Sequence, residues 1–208
     1  MVYIVVLVLF AVGVTIYYFV KRREVVKRLL IYYDVIKNIG AKDVEYILLG
    51  GYVGFRAIFR ELSETVRQLE ITVTTHPSFA LFWLPMSKII NKSDKIYFLA
   101  YLNDFVPEDF HVLDVETYSR TKIDEMWLLE DVLTINGKEF VCLYEKKEQI
   151  HKYRKLLEKI RVIDNLKHFA VCSRIKTVYF YFELSPHTVG DIVSSVIPLL
   201  FSFKNTAL

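Results

Sequence analysis

The chain has 208 residues and a formal charge of +3, with 15% aromatic residues, 7 glycines and 5 prolines. That composition excludes a disordered or low-complexity chain and leaves room for one domain with a core of its own. Two cysteines, Cys142 and Cys172, exclude a disulfide framework and fit reduced thiols in a cytosolic compartment.

In chain order, Val2 to Val20 is an unbroken uncharged, mostly apolar run closed by Lys21-Arg22-Arg23. As a helix it covers about 28 Å, close to the thickness of the hydrocarbon layer. The positive charges follow the apolar core and no small-residue cleavage site comes after them, so the pattern predicts a retained anchor at residues 1–23 and not a removed signal peptide. Five basic residues (Lys21, Arg22, Arg23, Lys27 and Arg28) crowd its end, which predicts an N-terminus outside and residues 24–208 in the cytosol. With Glu24 as the one acid among them, this stretch accounts for the net charge and leaves the rest nearly neutral. Such a cluster is placed to meet anionic headgroups, each Lys or Arg gaining about 1 kcal/mol there.

Apolar residues at Val25, Val26, Leu29, Leu30, Tyr33 and Ile36 predict a helix that continues to Gly40. The glycines Gly50, Gly51 and Gly54 lack the ending of a phosphate-binding loop and predict a plain turn. Phe55, Ile58, Phe59 and Leu62 predict a short helix over residues 55–64, whereas Leu69, Ile71 and Val73 alternate with polar residues as in a half-buried strand. An apolar helix interrupted by Pro85 is expected over Phe79 to Ile90, then a turn over Asn91 to Asp94. KIYFLAYL, residues 95–102, predicts a central strand covered by helices on both faces, and His111 to Glu116 a weaker strand. Asn136-Gly137 between Trp127–Ile135 and Glu139–Tyr144 predicts a hairpin with a type I′ turn. Lys146 to Val171 is expected to be helical and TVYFYFEL, residues 177–184, a strand. Thr188-x-x-Asp191 resembles a capping box before a final apolar helix, residues 192–203, that is too short to span a bilayer and is expected in the core. The fold class is α+β: one transmembrane helix, then a single cytosolic domain with a mixed or antiparallel sheet covered by helices.

His168 and Cys172, four apart on the expected helix, could present two metal ligands on one face, or be a surface histidine and a buried thiol; structural sites need four ligands, and no metal is predicted. Eight carboxylates between Glu108 and Asp131, against Arg120 and Lys122, could hold Mg²⁺ in a membrane-bound phosphatase or nuclease through Asp124 and Asp131, or be solvated loops. No G-x-S-x-G or HExxH is present, so neither an enzyme nor a cofactor is predicted. The charged stretch Lys146, Lys147, Lys152, Arg154, Lys155, Lys159 and Arg161, against Glu148 and Glu158, could meet ribosomal RNA, or be a solvated helix face. Ala11-x-x-x-Thr15 matches the spacing at which transmembrane helices approach closely, which makes these two the candidate contact with a partner helix.

The order of elements, an anchor, LEITVT, a proline-containing apolar helix, SDKIYFLAYLND, a helical stretch ending at KHFAV, YFYFEL and SSVIPLLFSF, resembles the cytosolic domain of the calumin family, coiled-coil-containing subunits of the PAT complex, the translocon-associated intramembrane chaperone of the endoplasmic reticulum. The resemblance runs over roughly residues 69–104 and 165–203. It implies a non-enzymatic accessory factor of membrane-protein insertion beside the Sec translocon, in contact with the ribosome, a small multispanning membrane protein and nascent membrane proteins. The acidic lumenal region and the charged coiled coil of that family have no counterpart in these residues, so what remains resembles a minimal form. Its membrane would be the endoplasmic reticulum in a eukaryote and the plasma membrane in a prokaryote. The alternative is a membrane-tethered scaffold that binds a cytosolic protein through the final apolar helix.

Overall fold

The computed structural model describes residues 2–41, 43–76, 93–103, 108–121 and 128–206; the expected Phe79–Ile90 helix with Pro85, the start of the Asn91 turn, Lys122, Asp124 and Trp127 lie outside these residues. The chain opens with one continuous helix, α1 (Val2–Ile36), unbroken at the Lys21-Arg22-Arg23 boundary. Its first part is long and apolar enough to cross a membrane and is not buried by the rest of the protein, a candidate single membrane span. From Val25 onward the same helix enters the core through Val25, Leu29, Tyr32 and Ile36, spaced three and four apart so that they share one face. Burying four such side chains favours docking by on the order of 6–10 kcal/mol before entropy is counted. Gly40, at φ 80°, supplies the left-handed conformation that ends this region.

The remaining strands are β1 (Asp43–Leu49), β2 (Gly54–Arg60), β3 (Val66–Thr74), β4 (Asp94–Leu102), β5 (Phe110–Asp114), β6 (Leu129–Ile135), β7 (Lys138–Tyr144), β8 (Leu166–Cys172) and β9 (Thr177–Leu184). Among the described residues they form a nine-stranded sheet in the order β1-β2-β3-β4-β9-β8-β5-β7-β6, antiparallel at every pairing. Helices α2 (Val115–Arg120), α3 (Glu148–Leu157) and α4 (Val189–Thr206) complete the α+β domain. Among the described residues, three helices share one sheet face. Tyr33 of α1 packs on Tyr46 and Phe55 at the β1 end, α4 touches α1, and Tyr153 of α3 stacks on Phe110 and Phe203, so the layer runs α1, α4, α3 across the sheet. The apolar side of α4 (Ile192, Val196, Leu200 and Phe203) is buried in this layer, as expected for a core helix.

Four expectations need correction. Residues 54–60 form β2 and not a helix: Phe55, Ala57 and Phe59 point into the core in a period of two, and Gly54 lies so close to the Val73 carbonyl that a Cβ there would collide with it. The long helix over residues 146–171 stops at Leu157, and its apolar second half is the strand β8. In β4, burial alternates along the strand: Ile96, Phe98 and Ala100 are buried, while Lys95, Tyr97, Leu99 and Tyr101 line a half-buried second face. Lastly, the Thr188 hydroxyl turns back to Ser185 instead of completing a capping box with Asp191. The Asn136-Gly137 hairpin is present as read, with φ of 50° and 86° closing β6 onto β7.

A buried polar contact adds to this packing of α1 on the sheet. Asp94, buried at the start of β4, accepts a hydrogen bond from the Tyr32 hydroxyl at 2.7 Å and one from the His76 amide at 2.9 Å, and its Oδ2 lies 3.1 Å from Arg28 Nε. Burial, and then the bond to Asp94, pushes the Tyr32 hydroxyl above the usual tyrosine range, so it stays a donor. Asp94→Ala would strand the Tyr32 hydroxyl and the His76 amide and is expected to lower the unfolding free energy by about 3 kcal/mol, against about 1 kcal/mol for Tyr32→Phe. Guanidinium unfolding of the detergent-solubilised chain followed by circular dichroism measures both, and equal losses would mean that Asp94 is not the clamp.

Candidate functional site

The basic residues after the span divide into two groups. Arg28 is turned to Asp94 and serves the fold, while Lys21 pairs with Glu24 at 2.8 Å across one helical turn. Arg23 and Lys27 are exposed on the surface of α1, and Arg22 is half-buried. The Lys21 ammonium holds the Glu24 carboxyl below the usual range, an effect that solvent screening keeps small at this exposed position. The result is a cationic collar where the candidate span ends.

The second basic stretch is split by the fold. Lys152, Arg154 and Lys155 lie in α3, Lys146 and Lys147 precede it, and Lys159 and Arg161 lie beyond its last turn. Buried Gln149, Tyr153, Leu156 and Leu157 hold the helix on the core, which leaves the basic residues on the outside. Lys146 is bound to Glu108 at 2.8 Å, Arg154 to Glu158 at 3.0 Å and Arg161 to Asp191 at 3.9 Å. Lys152 is half-buried with its ammonium 5.6 Å from the Tyr153 ring. Lys147, Lys155 and Lys159 are exposed and have no ion pair among the described residues. Because α1 and α3 sit at opposite ends of the helix layer, the two basic stretches form separate patches.

Ala11 and Thr15 lie on the exposed span. The Thr15 hydroxyl donates to the Ala11 carbonyl at 2.8 Å, so what this pair offers a neighbouring helix is small size and not a free donor.

The His168 and Cys172 pairing dissolves. Both lie on β8, where four residues span about 13 Å, too far for one ion. His168 meets a different histidine, His111 on β5, with Nδ1 of His111 3.2 Å from Nε2 of His168 and the rings stacked. Tyr179 closes edge-on against it. The spacing in sequence, 57 residues, hides this pair until β5 is set beside β8.

The carboxylates of the 108–131 region are dispersed in separate structural contacts. Asp114 binds Lys138 at 2.9 Å and Lys167 at 3.4 Å; burial pushes its carboxyl up, but the two ammonium groups outweigh that and hold it below the usual range. Asp109 accepts from the Ser173 amide, Glu130 from the Tyr118 hydroxyl, and exposed Asp131 from its neighbour Val132. Among the described residues no three His, Cys, Asp or Glu side chains are grouped to hold a metal ion. Burial pushes the Cys142 thiol up to about 12, so it stays protonated and unreactive.

The sequence reading missed an apolar trough between α1 and β1, because β1 carried no recognised strand pattern. Its walls are Val26, Leu29, Leu30 and Tyr33 on one side and Tyr46, Leu48 and Phe55 on the other, and its volume is about 380 Å³.

No protein-family model matches the chain, and no curated protein matches it by sequence.

Burial, and then the neighbouring His111, push the His168 imidazole down to about 3. An unfolded histidine takes up its proton near pH 6.5, so between that pH and about 3 the unfolded chain binds one more proton than the folded one. Stability contributed by the neutral ring is therefore complete above pH 6.5 and falls by about 1.4 kcal/mol per pH unit below it. The unfolding free energy of the parent chain is expected to drop by about 2 kcal/mol more than that of His168→Gln between pH 6.5 and 5. Parallel pH slopes for the two proteins in denaturant titrations would refute this assignment.

Proposed function

We propose that the chain is a non-enzymatic, single-pass accessory factor of membrane-protein insertion, with its N-terminus outside and its sheet domain in the cytosol. The observation that carries this reading is the continuity of α1, which runs from the exposed apolar span into the core and is clamped there by Asp94. A domain held by such a helix keeps a fixed height at the membrane surface, unlike one on a flexible linker. The collar of Lys21, Arg22, Arg23 and Lys27 supports the cytosolic orientation by the excess of basic charge on that side.

In this reading the α3 region faces the ribosome. Lys147, Lys155 and Lys159 are the cations available to phosphates, since the other members of the stretch are paired or partly buried. Contacts of this kind release counterions, so three of them give salt-dependent binding without reading base sequence. The calumin-like order of elements supplies the neighbourhood: the Sec translocon, a small multispanning partner touching Ala11 and Thr15, nascent membrane proteins as clients, and the endoplasmic reticulum or a prokaryotic plasma membrane as the site.

Two measurements test the reading. Full-length protein in nanodiscs is expected to co-sediment with ribosomes at low salt and to detach as salt rises from about 50 to 200 mM, and a Lys147→Glu, Lys155→Glu, Lys159→Glu variant is expected to bind at least about tenfold more weakly. Equal binding by the variant would remove α3 from the ribosome contact. Protease added outside sealed cells is expected to leave the sheet domain intact, and its digestion would reverse the orientation.

A further inference from the structure

The geometry points to His151 as the central contact of an RNA-binding row: Lys147, His151, Lys155 and Lys159 form one line of side chains along α3 that lies against consecutive phosphates of an RNA strand, and His151 strengthens that contact as the pH falls. The inference deepens the ribosome-facing role proposed for α3 and rests on that reading for the identity of the nucleic acid as RNA.

The four residues are spaced four apart, the interval at which side chains stand one above another on a helix. The helical course extends past both ends of α3: Lys147 has helical dihedral angles, and the amides of Glu158 and Lys159 donate to the carbonyls of Arg154 and Leu156. Successive members are therefore about 6 Å apart along the axis and the row is about 18 Å long. That step is comparable to the separation of neighbouring phosphates along one strand. All four residues are exposed. His151 lies two residues from each of buried Gln149 and Tyr153, which turns it away from the core.

The groups around His151 belong to α3 and its flanks: Lys147, Glu148, Arg154, Lys155 and Glu158, the last engaged by Arg154. The charged groups of the neighbouring elements are occupied or turned elsewhere. Glu108 is held by Lys146 and Gln149, Glu145 accepts from the Asp109 amide, Asp191 of α4 pairs with Arg161, and Asp131 of β6 accepts from the Val132 amide. Lys138 of β7 is bound to Asp114, Glu130 of β6 accepts from Tyr118, and Glu139 of β7 shares the opposite sheet face with Val141. Among the described residues His151 has no ion pair or hydrogen bond.

Like charges four apart on a helix repel, so a lysine between Lys147 and Lys155 would weaken the free helix. Histidine avoids this, because it is the side chain whose charge changes between pH 5 and 8 and can take up its proton once phosphates are in place. A strand that prefers the protonated row must, by linkage, bind more tightly as the pH falls. Fixed spacing also separates RNA from an anionic bilayer. Lipid headgroups are mobile and respond to net charge, whereas the phosphates of a strand come in series and respond to where the cations stand.

The test measures binding of poly(U) RNA to the full-length protein in nanodiscs of zwitterionic lipid, as the slope of log affinity against log salt at pH 8 and pH 6. The parent slope is expected to be steeper at pH 6 by about 0.7, the value of one further phosphate on a single strand. His151→Gln is expected to give the same slope at both pH values, and His151→Lys the steeper slope at both. Lys155→Glu combined with Glu158→Lys keeps the net charge but breaks the row, and is expected to weaken binding at least about tenfold. A parent slope that ignores pH, a His151→Gln slope that shifts as the parent's does, or undiminished binding by the charge-exchanged variant would overturn the inference. So would binding to phosphatidylserine vesicles or polyglutamate that depends on His151 while poly(U) is ignored. Ribosome co-sedimentation separates the two readings: the expected poly(U) slopes without ribosome binding keep the row and remove the ribosome, and ribosome binding with no effect of His151 on either ligand defeats the row alone.

Discussion

The buried carboxylate of Asp94 is the constraint on which the rest of the architecture depends. An uncompensated charge at that depth would be costly, and three groups from two parts of the chain compensate it: Tyr32 and Arg28 from α1, and the His76 amide from the segment after β3. The contact is directional in a way that the apolar surface of α1 is not. Val25, Leu29, Tyr32 and Ile36 would tolerate a small slide along the sheet, whereas the hydroxyl and the guanidinium reach Asp94 from one register of the helix. Because the same helix is the candidate membrane span, fixing its register at residue 32 also fixes the height of the sheet relative to residue 20.

The sheet itself divides into a dry face and a half-wet one. Phe98, Phe180 and Phe182 lie on the first, while Tyr97, Tyr179 and Tyr181 stack in a row on the second. Burial pushes all three hydroxyls of that row upward, so they remain neutral, and the adjoining histidine pair His111 and His168 extends the same face. This second face also carries charge, in Lys95 beside the tyrosine row and in the pairs Arg56–Glu70 and Lys167–Glu183. The collar after the span and the cations around α3 form two patches because α1 and α3 stand at opposite ends of the helix layer.

What could be read from the residues divides by how many structures one pattern permits. Asn136-Gly137 has one good solution and is found as a hairpin turn, and the runs KIYFLAYL and TVYFYFEL are too short and too rich in aromatic and β-branched residues for anything but strands. GFRAIFR fits two periods at once, since Phe55 and Phe59 are both four apart and separated by an even number; Ala57 decides for a strand only when β3 lies alongside. In residues 146–171 the early charges carry a helical signal that overran its end, because no glycine or proline marks the stop at Leu157. The collar and the span were legible because they depend on local composition alone. The histidine pair and the trough were not, since each is made by strands far apart in sequence.

The two edges of the sheet carry charge in a similar way. A free strand edge invites pairing with other chains, and proteins blunt it with charge, bulges or cover. The edge at β6 carries exposed Glu130 and Asp131 near its start, and the rest of that strand, Val132-Leu133-Thr134-Ile135, is uncharged. At β1, Asp43 and Glu45 guard only the end away from the span, both within reach of Arg60, and the rest of the strand, Tyr46-Ile47-Leu48-Leu49, is uncharged. The uncharged part of β1 lies beside Val26, Leu30 and Tyr33 of α1, just past the candidate span, where Tyr33 packs on Tyr46. Each edge is thus blunted by a pair of carboxylates at one end, and α1 covers part of the stretch that the charges of β1 leave open.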